Sequence, residues 1–397
     1  MRRAAGRTIA AVLAGVLTAG MLTGCGVGKS DEKLDGTKTV ATVDGTEIPM
    51  GVVSIAARQQ QAQMDAMYAS FTGSGVNIWD TVADEESGET YGEQAVKDTL
   101  NQVELMYIMK DKAADYKVEV TEEDEKAIAE AAKAFIEANS EETIAELAVT
   151  EEQVKTYLEL QTYRQRMYDA IMDEAEVEVT DEEANQSSFT YVSISTSGEE
   201  ITEDDKKQKK EQAQEILDKM KEDPTGDMSE VAKAADESYS ALTGTFTTAE
   251  SKEEDEDSAY YPNEVLEVLR GLKEGEMAPE VIETDTGYYV VRLDKKLDEE
   301  ATESKRESLE SEKRTEYYTE TTEKWLEDAE IKADDKVLET LKITDTHKFT
   351  MKMPEVTETP EAETTEAPEE AEAEVTEAPE EAEAEATETP EPTETAE

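Results

Sequence analysis

The 397-residue sequence is strongly acidic, with 100 Asp and Glu residues against 39 Lys and Arg and a formal net charge of −61. This charge excludes nucleic acid as a partner, because phosphate binding requires clustered basic residues, and it disfavours adhesion to anionic lipid. Cys25 is the only cysteine, so an intramolecular disulfide is excluded and the folded part must be stabilised by packing.

The first 25 residues have the pattern of an export signal. Arg2, Arg3 and Arg7 precede an uncharged apolar stretch from 8 to 23, shorter than the roughly 20 residues that cross a bilayer. The stretch closes with Leu-Thr-Gly-Cys at 22–25, which resembles the lipobox of bacterial lipoproteins, in which the cysteine is lipidated and becomes the mature N-terminus. We therefore expect a signal peptide over 1–25 and a lipid on Cys25 that anchors the protein to the outer face of the bacterial cytoplasmic membrane. An ordinary signal peptide with a chance cysteine is the alternative.

Both ends of the mature chain have the composition of unfolded segments. Residues 26–38 are polar and contain glycine, which is typical of a linker. From Pro354 onward only Glu, Ala, Thr, Pro and Val occur, and a ten-residue unit at 365–374 is repeated at 376–385. Such a segment cannot bury a core, so residues 348–397 are predicted to form a disordered acidic tail.

Residues 39–186 are predicted to form a helical body that opens with a hairpin. Apolar and polar residues alternate through Thr39–Ile48 around an Asp44-Gly45 turn. Strong helix formers fill 50–69, 92–115, 122–139 and 151–175. Capping boxes, in which a threonine is followed three residues later by an acid or glutamine, begin at Thr121, Thr150 and Thr180.

The pattern changes near residue 187 to strands separated by helices. Residues 189–195, 244–248 and 287–293 are predicted strands, and 203–221, 228–237 and 262–272 are predicted helices. We assign 187–296 to a second domain. The sequence is helical again from 297 to 341, and residues 297–347 are predicted to complete the helical body.

Three motifs in this order resemble those of the PrsA-like foldase lipoproteins. They are the hairpin at 40–48, the two Val-x-Val-Thr helix entries at 118–121 and 177–180, and a closing signature at 271–279 followed by 286–291. The resemblance covers most of residues 39–345. It implies an α+β fold, in which a helical chaperone body similar to the N-terminal domain of SurA carries an inserted parvulin-type (PpiC-like) peptidyl-prolyl isomerase domain. That domain consists of a small antiparallel sheet and flanking helices.

Tyr191 and Tyr289 are the candidate catalytic residues. Parvulins typically carry a histidine on the first and on the last strand, and this sequence has the two tyrosines in those places. The glycine-rich run of the family is reduced to Gly244. Prolyl isomerisation breaks no covalent bond, so an apolar pocket with a hydroxyl donor can favour the twisted amide. The alternative is that both rings are half-buried strand aromatics that pack the sheet.

The sequence thus predicts a membrane-anchored factor that assists the folding of newly exported proteins, mainly by binding extended apolar segments in the helical body. An active prolyl isomerase using the two tyrosines and a non-catalytic surface scaffold are the alternatives, and enzyme activity is left open. Six methionines are candidates for an adaptable client cradle or for ordinary core: Met64, Met67, Met106, Met109, Met167 and Met172.

No cofactor or metal site is indicated by the sequence. His347 is the only histidine and lies beside the acidic tail, so it is predicted to act neither as a base nor as a ligand. The acids at 253–257 lack the glycine and the spacing of a calcium loop, which favours a solvated loop.

Overall fold

The computed structural model describes residues 21–25, 34–73, 75, 77–198, 201–249 and 260–352. The signal segment before residue 21, most of the predicted linker, the acids at 253–257 and the chain beyond 352 lie outside the described residues. The helices are α1 (Met50–Thr72), α2 (Tyr91–Lys112), α3 (Glu122–Ala138), α4 (Glu141–Leu147), α5 (Glu151–Glu174), α6 (Asp181–Ala184), α7 (Glu203–Glu222), α8 (Met228–Ala235), α9 (Asn263–Gly271), α10 (Glu299–Asp328) and α11 (Asp335–Leu338). The strands are β1 (Met21–Cys25), β2 (Thr39–Val43), β3 (Thr46–Pro49), β4 (Val82–Asp84), β5 (Glu89–Thr90), β6 (Gln186–Ser195), β7 (Leu242–Thr247), β8 (Ile282–Thr284), β9 (Gly287–Lys295), β10 (Ile331–Ala333) and β11 (Lys348–Lys352).

Capping boxes determine where several helices begin. At α3, the Thr121 hydroxyl accepts a hydrogen bond from the Asp124 backbone N–H, and the Asp124 carboxylate accepts one from the Thr121 N–H. The boxes predicted at Thr150 and Thr180 have the same form, and two further boxes start α2 and α7. Because these motifs act locally, the sequence predicts these helix starts closely. The short helix α4, which is capped by Ser140, is absent from the sequence prediction.

One apolar cluster forms the core of the helical body. It combines residues of α1, α2, α5 and the predicted β2–β3 hairpin. Val52, Val53 and Ile55 on α1 are all buried, because the first turns of this helix are packed on most sides. Within the described ranges, every helix is too short or too polar to cross a bilayer.

Three of the six candidate cradle methionines belong to the core. Met106, Met109 and Met167 are at most 2% exposed, so the ordinary-core interpretation is correct for them. The other three are partly or largely exposed, and Met67, near the end of α1, is 52% exposed.

The chain returns to the body after α10, and here the predicted continuous helix to residue 341 is wrong. α10 ends at Asp328, and β10 pairs antiparallel with β2, with Ile331 opposite Val43. The reason is that β2 has an open edge whose backbone groups need partners. The Asp44 N–H donates to the Glu330 carbonyl at 3.1 Å, and the Glu330 N–H donates back to Asp44 Oδ1 at 2.9 Å.

The predicted start of the disordered tail at residue 348 is also wrong, because residues 348–352 form β11. This strand pairs antiparallel with β1, with Cys25 opposite Lys348. Phe349 is fully buried, and the Arg58 guanidinium lies 5.0 Å from its ring centroid. A buried aromatic residue gives this segment the apolar surface that the rest of the acidic tail lacks.

A four-stranded antiparallel sheet in the order β7-β6-β9-β8 carries the second core region. Residues alternate between its two faces. Val192 and Val290 pack with α7 and α8 on one face, whereas Phe189 and Val291 pack with α9 on the other. The chain is therefore α+β, as predicted, with this sheet domain inserted between α6 and α10 of the helical body.

Candidate functional site: the aromatic face of the sheet domain

Tyr191 and Tyr289 lie together on the face of the sheet that packs against α9. The register of β6 and β9 places Tyr191 opposite Val291 and Tyr289 opposite Ser193, so the two tyrosines are diagonal neighbours. Their ring centroids are 6.2 Å apart and their planes are inclined by 28°. Both side chains are half-buried. The two rings therefore lie close together, while their catalytic role stays a prediction.

Three further aromatic rings complete this face, and sequence reasoning did not identify them. Phe189 stacks on Tyr191 with centroids 5.2 Å apart. Tyr261 meets both rings edge-on, at 5.0 Å from Phe189 and 5.9 Å from Tyr191. Phe246 meets Phe189 edge-on at 5.7 Å. The two-residue spacing of Phe189 and Tyr191 on a strand is the signal that could have revealed the pair.

Gly244 leaves the space that Tyr261 occupies. It lies opposite Phe189 in the β6–β7 register. A Cβ at this position would lie 2.4 Å from the Tyr261 hydroxyl oxygen and 2.8 Å from the Phe189 ring. Both distances are too short for real atoms, so a side chain here would push the rings apart. The one glycine retained from the family's glycine-rich run therefore shapes the aromatic face.

The two tyrosine hydroxyls can serve as donors. Burial raises the pKa of Tyr191, and the nearby Tyr289 adds to the effect, so the Tyr191 hydroxyl stays protonated at neutral pH. Among the described residues, neither Tyr191 nor Tyr289 uses its hydroxyl in a hydrogen bond to the protein. Apolar side chains of α9, including Val265 and Leu269, lie beneath the rings. Such a surface can hold a prolyl ring and offer a hydroxyl to the adjoining carbonyl.

His347 lies far from this face in the fold, on the helical body. The Arg58 guanidinium donates to His347 Nδ1 at 3.4 Å, and His347 Nε2 lies 3.5 Å from Glu146 Oε2. Because arginine can only donate, Nδ1 accepts and the proton of the neutral ring is on Nε2. No chemical role was predicted for His347, and the structure shows it in polar contact with Arg58 of α1 and Glu146 of α4.

No metal centre is formed within the described ranges, where no three His, Cys, Asp or Glu side chains are grouped to hold an ion. A cavity of about 630 Å³ does occur in the body beside Leu34, Ile136 and Ile144. It is lined by other elements than the aromatic face and is not part of it.

The four-stranded antiparallel sheet and its flanking helices lie within a segment that matches a known family. Residues 149–305 match the family model described as the PPIC-type PPIase domain. The chain therefore contains a parvulin-type peptidyl-prolyl isomerase domain, and the predicted family resemblance is confirmed. No curated protein matches the sequence.

Solved structures of foldases and chaperones are similar to the chain over most of its length. A peptidylprolyl isomerase, PrsA from Bacillus cereus, has 16% identity and a TM-score of 0.28, covering 77% of this chain and 96% of that chain. The foldase PrsA from Streptococcus pneumoniae has 19% identity and a TM-score of 0.22, covering 66% and 92%. A structure described with the SurA-like chaperones PEB4 and Cj1289 of Campylobacter jejuni has 11% identity and a TM-score of 0.24, covering 75% and 98%.

Proposed function

We propose that this protein is an extracytoplasmic folding factor, anchored through a lipid on Cys25, that acts mainly by holding extended segments of newly exported proteins. The observation that carries the proposal is a parvulin-type domain, matched over residues 149–305, whose aromatic face has tyrosines where the family has histidines. The domain has kept a surface suited to proline and apolar side chains. Residues 187–296 contain no histidine, and the single histidine of the sequence, His347, contacts Arg58 and Glu146 in the helical body.

A second candidate function, active prolyl isomerisation, is favoured by the geometry of the two tyrosines. The rotation of an X-Pro bond meets a barrier of roughly 18 to 20 kcal/mol and needs no general base. A hydroxyl that donates to the twisted amide lowers that barrier if the prolyl ring is held on the aromatic face. The closeness of the Tyr191 and Tyr289 rings, 6.2 Å between centroids, supports this candidate.

The first prediction separates these two functions. We expect wild-type isomerase activity on a short proline peptide to be near background, and Tyr191→Phe and Tyr289→Phe to hold unfolded clients as well as the wild type. Each change removes one oxygen, so the free energy of unfolding should change by about 1 kcal/mol or less. The measurements are protease-coupled isomerisation and suppression of aggregation of a reduced client.

Tyr239→Phe is the matched control. Tyr239 is a half-buried tyrosine of the same domain whose hydroxyl donates to Gln212 Oε1 at 2.9 Å. If wild-type turnover is robust and Tyr191→Phe lowers it tenfold or more while Tyr239→Phe does not, the isomerase hypothesis replaces ours. A tenfold loss corresponds to about 1.4 kcal/mol in the transition state.

The second prediction concerns the anchor. Cys25→Ala should prevent lipid attachment and leave the precursor uncleaved, because no other cysteine can accept the lipid. Metabolic labelling with a fatty acid and the membrane fraction of the protein provide the measurement. Normally lipidated, membrane-bound Cys25→Ala protein would disprove the anchor.

Processing at this site also has a structural consequence. Cleavage before Cys25 removes Met21–Gly24, which are four of the five residues of β1. β11 would then lose most of its partner strand, while Phe349 stays buried in the body. Comparing the amide exchange of β11 in precursor and processed protein therefore reports cleavage independently of the lipid.

A further inference from the structure

A polar cleft of about 270 Å³ opens between α1, α2 and α5 of the helical body. Eight of its eleven lining residues are polar and none is acidic, although 100 of the 397 residues of the chain are Asp or Glu. Five of the lining residues are glutamines, at positions 59, 60, 63, 102 and 161. The cleft is thus a surface region rich in amide groups and without carboxylates, in a strongly negative protein.

Hydrogen bonds fix two of these amides. Tyr157 is 4% exposed, and its hydroxyl donates to Gln59 Oε1 at 2.9 Å and accepts from Gln161 Nε2 at 2.6 Å. The Thr99 hydroxyl donates its one proton to the Ala95 carbonyl at 2.7 Å and lies 3.0 Å from the side-chain amide of Gln60. Each bond to Tyr157 uses one end of an amide. The nitrogen of Gln59 remains as a donor, and the oxygen of Gln161 remains as an acceptor.

The floor of the cleft is apolar. It is made by Ala56, Val103 and Met106, each at most 8% exposed. Arg164 is exposed and supplies the one charge of the lining. Donors, acceptors and an apolar floor therefore lie within one groove, with no carboxylate to repel the carbonyl groups of a ligand.

We propose that this cleft binds the main chain of an extended, uncharged client segment, an inference that rests on the holding function proposed above. An extended chain presents N–H and C=O groups along its edges, and side chains that alternate between two faces. The glutamine amides complement the main-chain groups of such a segment, which pairs with them along one edge. In folded proteins nearly all buried main-chain groups already have hydrogen-bond partners. The cleft therefore binds unfolded segments, whose main-chain groups are free, with little dependence on their sequence.

The test uses the full chain and a soluble, end-blocked octapeptide of alternating serine and valine. A second peptide carries N-methyl groups at alternate residues, which removes half of the N–H donors and keeps the side chains. We expect N-methylation to weaken binding at least tenfold. The double variant Gln63→Ala/Gln102→Ala should weaken binding of the unmodified peptide at least fivefold.

These variants are chosen so that folding is preserved. Gln63 and Gln102 are exposed at the cleft, and alanine is a strong helix former. The matched control is Gln208→Ala/Gln214→Ala, two exposed glutamines on α7 of the sheet domain, which should bind the peptide as the wild type does.

Two negative outcomes have different meanings. If the wild type suppresses aggregation of a reduced client but binds both peptides equally, or if the cleft variant binds like the control, the cleft inference is wrong and the proposed function stands. If the wild type neither binds the peptide nor suppresses aggregation, both are wrong.

Discussion

Arg166→Met is expected to lower the free energy of unfolding by about 3 kcal/mol at pH 7, as when one partner of a buried ion pair is removed. Arg166 on α5 donates from both terminal nitrogens to the Asp124 carboxylate of α3, at 2.9 Å each. The side chains of Arg166 and Asp124 are 18% and 9% exposed. The Asp124 carboxylate also closes the capping box with Thr121, so the pair joins a helix start to a neighbouring helix.

The pH dependence of this effect follows from the carboxylate. The hydrogen bonds from Arg166 are the main cause that lowers the pKa of Asp124 to about 2, from an ordinary value of 3.8. Because the pKa is lowered in the folded state, the stabilisation is present above about pH 4 and is lost as the pH falls through about 2. The difference between wild type and Arg166→Met should therefore shrink over that interval in acid.

Lys207→Met is the matched control for this measurement. The Lys207 ammonium lies 3.9 Å from Glu211, and both side chains are more than 70% exposed. An exposed pair of this kind contributes about 0.5 kcal/mol or less. Urea unfolding of both variants at pH 7 decides the question, and an Arg166→Met change as small as that of Lys207→Met would show that the buried pair does not hold α3 to α5.

Local motifs explain why so much of the fold is visible in the sequence. The capping boxes at Thr121, Thr150 and Thr180 act over four residues, and each helix begins where its box places it. The segments that were mispredicted depend on partners distant in sequence. Ile331 adopts a strand because Val43 lies beside it, and Phe349 is ordered because it is buried against Arg58. A pattern read along the chain contains no information on such partners.

The candidate site was likewise predictable only in part. The family pattern identified Tyr191 and Tyr289 as the candidate pair, and their rings lie 6.2 Å apart. Tyr261 reaches the same face from the loop just before α9, across the space left by Gly244, and no spacing rule places it there. The glutamine cleft was missed for a similar reason, since its residues are scattered over three helices that only packing brings together.

Glu104→Gln is expected to stabilise the protein by about 2 to 3 kcal/mol at pH 8. Glu104 lies on α2 and is 4% exposed, and burial raises its pKa from 4.5 to about 7. One pKa unit corresponds to about 1.4 kcal/mol, and the raised pKa means that the folded state disfavours the charged form. Stability is therefore lost as the pH rises from about 4.5 through about 7, and the neutral amide of glutamine removes this cost.

The test compares urea unfolding of Glu104→Gln and wild type at pH 5 and pH 8. The stabilisation should be nearly complete at pH 8 and fall to about 1 kcal/mol or less at pH 5, where the wild-type carboxyl is protonated in the folded state and partly ionised in the unfolded state. Glu130→Gln, on an exposed position of α3, removes the same charge and should leave stability within about 0.5 kcal/mol of the wild type at both pH values. Burial and Arg58 lower the pKa of His347, so protonation of this histidine destabilises the folded protein as the pH falls. All three proteins contain His347, so its contribution cancels when their free energies of unfolding are compared. If Glu104→Gln instead destabilises the protein at pH 8, the buried carboxylate must accept hydrogen bonds in its charged form, and burial is not what determines its protonation.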